Sequence, residues 1–480
     1  KKNTKIAIML PNLLTYPISL FGSYYCGATV ININPMYKTR EIEDLLIDSE
    51  AEYIFVLDKF YSELKPCIEK SNLKKIIICK INDLLNPFMK FLVPIIMLYK
   101  KQSVSIENNN NIIYFKDIIS NNFGYEDVYV ESDDIALLQY TGGTTGKSKA
   151  AILTHRNLLS NVQQVSNWIE PHIKPGEEII ITALPLFHIF SFTVNCLTFL
   201  KIGAENVLIA NPRDLNSFLK VLKKKKFTVI TAVNTLFNLL MTSKKFKNLD
   251  FSSFKFSVGG GMAVLSETAK RWNKITGTNI TQGYGLTETS PVISINKIND
   301  SFNGSIGLPV QSTSIKIINN NGDTINNNQP GELCVKGPQV MSGYWKYSKE
   351  YDSPFTEDGF FKTGDIASIN EQGYLTIVDR KKDMIISSGY NVFPNEIEDY
   401  LSTHPDIHEA GIIGVPDKNR GEYIKAFIVT KDKNLVASDV ISFCKKGLTE
   451  YKVPKEVIFI EELPKTNVGK ILRRELRKIH

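Results

Sequence analysis

The sequence of 480 residues lacks long apolar runs, paired cysteines and any secretory signal. Its longest apolar stretch, residues 88–99, is too short to span a bilayer and contains Lys90 and Pro94. This stretch is compatible with contact at a membrane face and equally with packing in a core. The six cysteines are scattered and form no C-x-x-C pair, which favours buried free thiols in a reducing compartment. We therefore expect a cytoplasmic protein, with peripheral contact at the cytoplasmic face of the membrane left open.

Histidine is scarce, and acidic residues are slightly outnumbered by basic ones. His404 and His408 in "HPDIH" are separated by Pro405 and have no third ligand nearby, so a metal site is not expected there. The net charge of +7 comes from 57 basic and 50 acidic residues, and lysine and asparagine fill loops throughout. This distribution indicates compositional bias, and we expect no nucleic-acid partner. An enzyme that acts on anionic substrates tolerates such a charge well.

The chain alternates between strand-like and helix-like segments, and this pattern changes in its last third. Residues 1–60 and 179–232 alternate in this way, which predicts parallel sheets with helices packed on their faces. Residues 305–378 instead contain short strands with glycine and asparagine turns, typical of a small antiparallel or barrel-like subdomain. About a hundred residues beyond 380 have their own α+β alternation. The charged run 380–383 between these patterns is a hinge candidate, with a solvated turn as the alternative.

One stretch, "YTGGTTGKSKA" (140–150), has the glycine, hydroxyl and lysine content of a phosphate-binding loop. It is not a Walker loop, because the position of the first required glycine is Thr141. A Walker loop also runs directly into a helix, whereas here the apolar run "AAIL" follows and Thr154 is the predicted helix N-cap. The loop therefore belongs to another class of phosphate-binding protein.

Further polar stretches next to glycine follow in the chain, namely "SVGGGM" (257–262), "TQGYGLTETS" (281–290), "DGFFKTGDIA" (358–367) and "PKTNVGKILRREL" (464–476). Each taken alone is equally compatible with a turn, a packed ring, a hairpin or a basic tail. Together they supply what a nucleotide, a divalent cation and a reacting carboxylate require. The expected contacts are Thr141, Thr144, Thr145 and Lys149 to phosphates, 259–261 and Tyr284 to adenine, Asp365 to ribose, Glu288 to magnesium, and Lys470 as a mobile cation.

This ordered set of motifs, with "LPLFHIF" and "DRKKDMIISSGYNVFPNEIE", resembles the adenylate-forming superfamily of acyl-CoA synthetases, peptide-synthetase adenylation domains and luciferases. The resemblance runs from about residue 5 to the C-terminus. The stretches "FLKIGAENVLIANPRD", "VNTLFNLL" and "GELCVKGPQVMSGYW" look most like bacterial long-chain fatty acid–CoA ligases. The implied fold is a large N-terminal α/β domain of parallel-rich sheets plus a small β-barrel-like subdomain, followed by a small mobile α+β domain.

The resemblance implies ATP-dependent activation of long-chain fatty acids to acyl-CoA through an acyl-adenylate, with release of AMP and pyrophosphate. ATP and Mg²⁺ are the implied cofactors, coenzyme A is the cosubstrate, and a homodimer is left open. The implied domains are an ATP- and acyl-binding domain (1–379), a hinge (380–382) and a lid that carries the catalytic lysine (383–480). Two alternatives remain: a ligase that loads a carrier-protein thiol, and a ligase for another apolar acid. Since the chain opens in "KKNTKIAIML", we expect the natural N-terminus to be missing.

The resemblance also implies roles at matching positions. The catalytic set is Lys470, Glu288, Thr287 and His188, with Glu288 as the magnesium ligand and Lys382 as the hinge. His188 has a helix-capping alternative, and Val233 and Phe237 have a core alternative. The substrate set is His188, Val233, Phe237, Gly389, Tyr390 and Asn391. The cofactor set is Thr141, Gly142, Gly143, Thr144, Thr145, Gly146, Lys149, Gly259, Gly260, Gly261, Gln282, Gly283, Tyr284, Asp365 and Arg380.

The phosphate loop departs from the pattern of the superfamily at its end. The usual continuation is x-P-K-G, whereas this chain has Lys147, Ser148, Lys149 and Ala150. Losing proline and glycine is expected to alter the mobility of the loop. Lys147 adds a second cation beside the phosphates.

Overall fold

The computed structural model describes residues 2–86, 88, 93, 106, 109–121, 127–141, 148–325, 328–347, 353–387, 390–417, 421–430, 434–466, 469 and 471–479. Most of the stretch 88–99, the loop residues 142–147, Gly389 and Lys470 lie outside these ranges. The chain divides into two compact units. Unit 1 comprises Lys1–Phe227, Thr287–Pro291 and Pro338–Asp352, and unit 2 comprises Thr228–Leu286, Val292–Gly337 and Ser353–His480.

Unit 1 contains a seven-stranded sheet that ends in a hairpin. Its strands are β1 Lys5–Met9, β2 Thr29–Asn32, β3 Tyr53–Leu57, β4 Lys75–Cys79, β5 Ile112–Tyr114, β6 Ile135–Thr141 and β7 Lys149–Thr154. The spatial order is β5-β4-β3-β1-β2-β6-β7. All pairings are parallel except that of β6 with β7, which is antiparallel and places Thr141 opposite Lys149. The phosphate loop therefore connects two adjacent, firmly paired strand ends.

Helices of unit 1 follow the predicted alternation with its strands. They are α1 Thr15–Tyr25, α2 Thr39–Ser49, α3 Tyr61–Leu64, α4 Phe115–Ser120, α5 His155–Ile169, α6 Phe199–Lys201 and α7 Leu215–Lys224. The predicted N-cap is confirmed, because the Thr154 side chain accepts a hydrogen bond from the N–H of Asn157 at the start of α5. Two further parallel strands, β8 Ile179–Thr182 and β9 Glu205–Leu208, flank a π-helix at Ser191–Thr198.

Unit 2 begins with a mixed β-sheet arrangement and an aromatic core. Strands β10 Val229–Ala232, β11 Phe256–Gly259 and β12 Ile280–Gly285 pair in parallel, and β13 Val292–Ile295 and β14 Leu308–Pro309 continue antiparallel. The helices here are α8 Asn234–Thr242, α9 Lys244–Lys247 and α10 Ser266–Thr276. Trp272 of α10 is 1% exposed and contacts the rings of Phe237, Phe246 and Phe254. This burial of large aromatic surface fixes the helices beside the glycine-rich end of β11.

The antiparallel strands predicted after residue 305 are confirmed. Strands β15 Ser314–Ile318, β16 Gly331–Lys336, β17 Phe361–Ile369 and β18 Leu375–Arg380 form an antiparallel sheet in that order. Alternate residues of these strands pack in a small apolar core that includes Ile317, Leu333 and Leu375. The register places Asp365 of β17 directly opposite Arg380 of β18.

The predicted α+β alternation beyond residue 380 is also confirmed. Strands β19 Ile385–Ser387, β20 Tyr390–Val392, β21 Ile407–Asp417, β22 Gly421–Thr430 and β23 Glu456–Phe459 form one sheet. The helices of this region are α11 Pro394–Ser402, α12 Ala437–Gly447 and α13 Arg473–Leu476. The α/β fold class predicted from the sequence is therefore found. None of the helices in the described ranges is long and apolar enough to cross a membrane.

Candidate active site

Both ends of the phosphate loop are held by the β6–β7 hairpin of unit 1. The Thr141 hydroxyl donates a hydrogen bond to the carbonyl of Lys149 at 3.3 Å. The Lys149 ammonium lies 4.1 Å from the ring centroid of Tyr347 and 5.4 Å from that of Tyr344. A cation over aromatic faces is attracted without being neutralised. The charge of Lys149 is therefore held at the exit of the loop and stays available to an anion.

The predicted magnesium ligand follows in the same unit. Glu288 lies in the short 3₁₀ turn Thr287–Thr289, where its main-chain carbonyl accepts from the N–H of Met341 at 2.8 Å. Its carboxylate accepts a hydrogen bond from the Tyr344 hydroxyl at 2.7 Å. Burial, reinforced by the Glu288 carboxylate, raises the pKa of Tyr344 above its ordinary value. The hydroxyl is therefore protonated and acts as the donor.

The donor chemistry around Glu288 fits Mg²⁺. This cation prefers oxygen ligands and retains several waters, so one or two carboxylates plus substrate phosphates suffice to hold it. The carboxylate of Glu288 is a hard oxygen ligand fixed at one of its two oxygens by Tyr344. Among the described residues, no group of three or more His, Cys, Asp or Glu side chains could hold a metal ion by itself. A magnesium ion that shares its ligands with ATP is consistent with this finding.

In unit 2, the buried carboxylate of Asp365 contacts two other residues that are predicted to bind the nucleotide, Tyr284 and Arg380. The Asp365 side chain is 3% exposed and pairs with Arg380, whose Nε lies 2.9 Å from Asp365 Oδ1. The Tyr284 hydroxyl donates to Asp365 Oδ2 at 2.5 Å. Since an ionised carboxylate accepts about four hydrogen bonds, acceptor positions remain beyond these two. The structure therefore brings together Tyr284, Asp365 and Arg380, as the sequence predicted.

The glycine-rich turn at 259–261 is shaped by close packing. A Cβ at Gly259 would lie 2.6 Å from Val264 Cγ2 and 2.9 Å from Ile280 Cγ2, so only glycine fits there. Gly261 has a φ of +75°, a conformation that glycine adopts readily. Gln282 secures the same turn, because its side-chain carbonyl accepts from the N–H of Val264 at 2.9 Å. Its amide donates to the carbonyl of Ser305 at 3.0 Å, so Gln282 supports the turn through the backbone. Gly283 follows it in β12.

The residues predicted to line the acyl pocket lie next to this turn. A Cβ at Gly259 would lie 3.4 Å from Phe237, and one at Gly261 would lie 3.7 Å from Val233. Phe237 is fully buried and packs edge-on against Trp272, with ring centroids 4.6 Å apart. These contacts agree with the core alternative for Phe237. Its role as pocket wall stays a prediction.

His188 caps the helical segment that begins after it in unit 1. Its Nδ1 accepts a hydrogen bond from the N–H of Phe190 at 3.3 Å, as a helix N-cap does. Burial lowers the pKa of His188 to about 4, so the ring is neutral near pH 7. These contacts agree with the capping alternative. The proximity of the His188 ring to an acyl and thiol channel stays a prediction.

The hinge candidate is bordered by two buried acidic residues that share one arginine. Asp379 is fully buried and Asp383 is 8% exposed, and burial raises the pKa of Asp379 to about 6. Arg473 lies 3.6 Å from Asp379, 3.4 Å from Asp383 and 2.8 Å from Glu398. Lys382 itself is exposed. The segment after the predicted catalytic lysine is thus bound to both sides of the predicted hinge.

The last predicted substrate residues lie on β20. Tyr390 is 56% exposed and stacks on Tyr451, with ring centroids 4.5 Å apart and planes 15° apart. Asn391 beside it is also exposed. Both side chains are open to solvent, and their contact with the substrate stays a prediction.

Sequence reasoning missed Tyr344, Tyr347 and Arg473 as members of the site. The aromatic run "GYWKY" (343–347) was a signal for the tyrosines, because aromatic residues in a loop need partners. Arg473 stood in "GKILRREL", where its buried contacts to carboxylates could not be distinguished from a solvated basic helix.

Comparison with known proteins finds matches to family models and to curated relatives along the chain. The AMP-binding enzyme family matches residues 1–345, and the AMP-binding enzyme C-terminal domain matches residues 396–470. A long-chain-fatty-acid–CoA ligase of Escherichia coli O157:H7 is 48% identical over 482 residues, covering 99% of this chain and 85% of that protein. A ligase with the same name from Haemophilus influenzae is 47% identical over 485 residues, covering 99% and 86%.

A solved structure shows the same fold at lower sequence identity. The anthranilate CoA ligase AuaEII in complex with anthranoyl-AMP superposes with a TM-score of 0.87 at 24% identity, covering 100% of this chain and 88% of that one. The fold and the family matches together define the class: the chain belongs to the AMP-binding enzymes. The membership predicted from the ordered motifs is confirmed.

Proposed function

We propose that this protein activates long-chain fatty acids with ATP and transfers them to coenzyme A. The carboxylate attacks the α-phosphate to give acyl-adenylate and pyrophosphate, and the thiol of coenzyme A then displaces AMP. The observation that carries this proposal is the 48% identity over 99% of the chain with a long-chain-fatty-acid–CoA ligase. The chain also retains Asp365, Glu288 and Lys470, which a relic without catalysis could lose without unfolding.

The phosphate end of ATP is proposed to bind at the β6–β7 hairpin. Thr141, Thr144, Thr145 and the loop backbone donate to the phosphates, and Lys149 supplies the charge. Thr287 contacts the α-phosphate. Glu288 would hold Mg²⁺, which would supply positive charge beside the phosphates when bound. Support comes from the Lys149 ammonium, which lies over the uncharged rings of Tyr344 and Tyr347.

The nucleoside end is proposed to bind to the residues that the structure collects around Asp365. The adenine stacks on Tyr284 beside the backbone of 259–261, and the ribose hydroxyls donate to Asp365 with Arg380 nearby. A buried, twice-bonded carboxylate supports this role, since its remaining acceptor positions suit paired hydroxyl donors. Arg380 supplies a positive charge beside this carboxylate.

The remaining roles concern the acid, the thiol and the exchange between half-reactions. Lys470 is proposed to neutralise charge in adenylation only, and Lys382 is the hinge between 1–379 and 383–480. Gly389, Tyr390 and Asn391 are proposed to contact the pantetheine arm, and His188, Val233 and Phe237 to lie near the acyl and thiol channel. Peripheral contact with the cytoplasmic face of the membrane is proposed because the substrate partitions into lipid. Homodimer formation is an open part of the proposal.

Carboxylate-dependent pyrophosphate release from Mg-ATP tests the reaction. Acetate, octanoate, palmitate and oleate are compared, each with and without coenzyme A. We expect release with the long acids and accumulation of AMP and a CoA thioester when coenzyme A is present. Apolar pockets discriminate by only about 1–3 kcal/mol per methylene, so neighbouring chain lengths should share activity.

The same assay separates the alternatives. Pyrophosphate release without thioester formation on coenzyme A, restored by a carrier-protein thiol, would support the carrier-loading ligase. Release driven by another apolar acid but not by palmitate or oleate would support the second alternative. Release of phosphate, or no dependence on any acid, would contradict the proposed reaction.

A further inference from the structure

The segment 343–347 packs directly on the strand that leaves the phosphate loop. The N–H of Ile152 donates to the carbonyl of Gly343 at 2.9 Å, and the N–H of Trp345 donates to the carbonyl of Ala150 at 2.9 Å. Ala151 and Tyr344 form a β-bridge between these two bonds. The segment therefore continues the sheet beyond β7 and holds Tyr344 rigidly opposite the exit of the loop.

Side chains on both sides of Tyr344 secure this position. The Trp345 indole N–H donates to the carbonyl of Asp48 at 3.0 Å. Lys346 pairs with Glu50, with 2.9 Å between Nζ and Oε1. These anchors lie at the C-terminal end of α2, well away from the phosphate loop in sequence. The backbone on either side of Tyr344 is fixed without help from its own side chain.

The side chain of Tyr344 touches two residues that the proposed function places at the reaction. Its hydroxyl donates to Glu288 at 2.7 Å, and its ring lies 5.4 Å from the Lys149 ammonium. The Tyr347 ring meets the Tyr344 ring edge-on at 6.1 Å and lies 4.1 Å from the same ammonium. One aromatic pair thus connects the proposed metal ligand with the proposed phosphate cation.

Physical chemistry gives these contacts distinct effects. A hydroxyl donated to one carboxylate oxygen fixes the orientation of the other oxygen, as partners of metal ligands commonly do. Ring faces hold an ammonium by a weak attraction directed at the face of the ring, whereas a carboxylate would form an ion pair that phosphate must break. The aromatic pair restricts Lys149 without forming an ion pair with it.

Resting on the proposed function, we propose that Tyr344 is a positioning residue for adenylation: its hydroxyl orients Glu288 toward Mg²⁺, and its ring, with that of Tyr347, keeps Lys149 in place for the phosphates of ATP. The two roles use different parts of the aromatic pair. Removing the hydroxyl of Tyr344 should affect the metal, and removing the ring of Tyr347 should affect the phosphates.

Equilibrium binding of ATP separates these roles without turnover. Calorimetric titration is done in the absence of any carboxylic acid, once with Mg²⁺ and once with EDTA. The unmodified protein gives a ratio of the two dissociation constants, which measures the coupling between metal and nucleotide. In Tyr344→Phe we expect this ratio to fall about tenfold, while the affinity in EDTA is unchanged.

Two substitutions of Tyr347 test the role of its ring. Tyr347→Leu removes the ring, and Tyr347→Phe is the matched control. In Tyr347→Leu we expect ATP to bind about threefold more weakly with and without Mg²⁺, so that the ratio is preserved. Tyr347→Phe keeps the ring and should bind as the unmodified protein does. Thermal unfolding of each variant establishes that it is folded, since the backbone anchors of the segment remain.

The opposite results would overturn the proposal. If the ratio of the ATP dissociation constants with Mg²⁺ and with EDTA were the same in Tyr344→Phe as in the unmodified protein, the proposed role of the hydroxyl would be wrong. Unchanged or tighter ATP binding in Tyr347→Leu, or equal weakening in Tyr347→Phe, would remove the role of the rings. The proposed function fails separately: if the unmodified protein binds Mg-ATP but no acid elicits pyrophosphate, the reaction is wrong and the binding results still decide the role of Tyr344.

Discussion

Replacing Arg380 by methionine should destabilise unit 2 even when no nucleotide is present. The Asp365 side chain is 3% exposed, and Arg380 Nε lies 2.9 Å from its Oδ1. The variant would leave this buried carboxylate with the hydrogen bond that the Tyr284 hydroxyl donates at 2.5 Å. A buried charge that loses its counterion must either remain poorly solvated or take up a proton.

The magnitude follows from the exposure of the two partners. Breaking a buried ion pair at one end typically costs about 3–5 kcal/mol. The Arg380 side chain is 30% exposed, so solvent screens the pair in part and we expect the lower end, about 3 kcal/mol. Asp365→Asn keeps the shape and removes the charge, which should cost about 1–2 kcal/mol. The double variant should then be more stable than the sum of the single effects by about 2 kcal/mol.

Urea unfolding of the four proteins at pH 7 measures these values. The matched control is Arg156→Met, because Arg156 pairs with Asp133 at 2.7 Å while their side chains are 55% and 71% exposed. We expect this exposed pair to contribute much less than the buried pair, because solvent screens its charges. A loss in Arg380→Met no greater than in the control, or additive effects in the double variant, would refute the reasoning about Asp365.

Other predictions address the two half-reactions and the effect of pH. Lys470→Ala should raise the barrier to adenylation by about 3–4 kcal/mol, while reaction of supplied acyl-adenylate with coenzyme A largely survives, as rapid-quench assays of each half-reaction would show. Lys382→Pro should do the reverse by stalling domain rotation, measured with the same pair of assays. Burial lowers the pKa of His188 to about 4 from an unfolded value near 6.5, so stability is lost as pH falls between these values, by up to about 3 kcal/mol. Urea unfolding at stepped pH should show a shallower loss in His188→Asn, which retains a capping side chain and cannot titrate.

Each of these predictions has a result that contradicts it. Equal loss of both half-reactions in Lys470→Ala would remove its special role in adenylation. The same outcome in Lys382→Pro would remove the hinge. An identical dependence of stability on pH in the unmodified protein and His188→Asn would mean that groups other than His188 cause the loss of stability at low pH.

Local patterns predicted most of the fold because each is decided within a few residues. The "IALLQY" run became β6, and Thr154 became the N-cap of α5, since alternation and capping depend on neighbouring side chains. Within the predicted alternation over 179–232, the helix that follows His188 has a π-helix at Ser191–Thr198 as its central part. Periodicity does not distinguish a wider turn from an α-helix over a segment of this length.

The candidate site was predictable to the extent that single residues have a chemical signature. Glu288, Asp365 and Tyr284 could be chosen because a carboxylate or an aromatic ring next to glycine suits a nucleotide. Gln282 shows the limit of such a choice: its polar side chain lies in the right strand, yet its hydrogen bonds go to the backbone at Val264 and Ser305. The partners of a side chain depend on tertiary contacts, which no local pattern reports.

The residues that sequence reasoning missed act through contacts between distant segments. Tyr344 follows Glu288 by 56 positions, and the ring of Tyr347 holds a lysine that lies far earlier in the chain. Neither tyrosine has a charge or a nucleophile that would mark it as functional, and in the sequence each is an ordinary aromatic residue of a loop. Their importance arises because β7 and the segment 343–347 pair as neighbouring strands. Composition alone can therefore propose which residues of a phosphate-binding loop contact the ligand, whereas proposing the residues that orient them requires the fold.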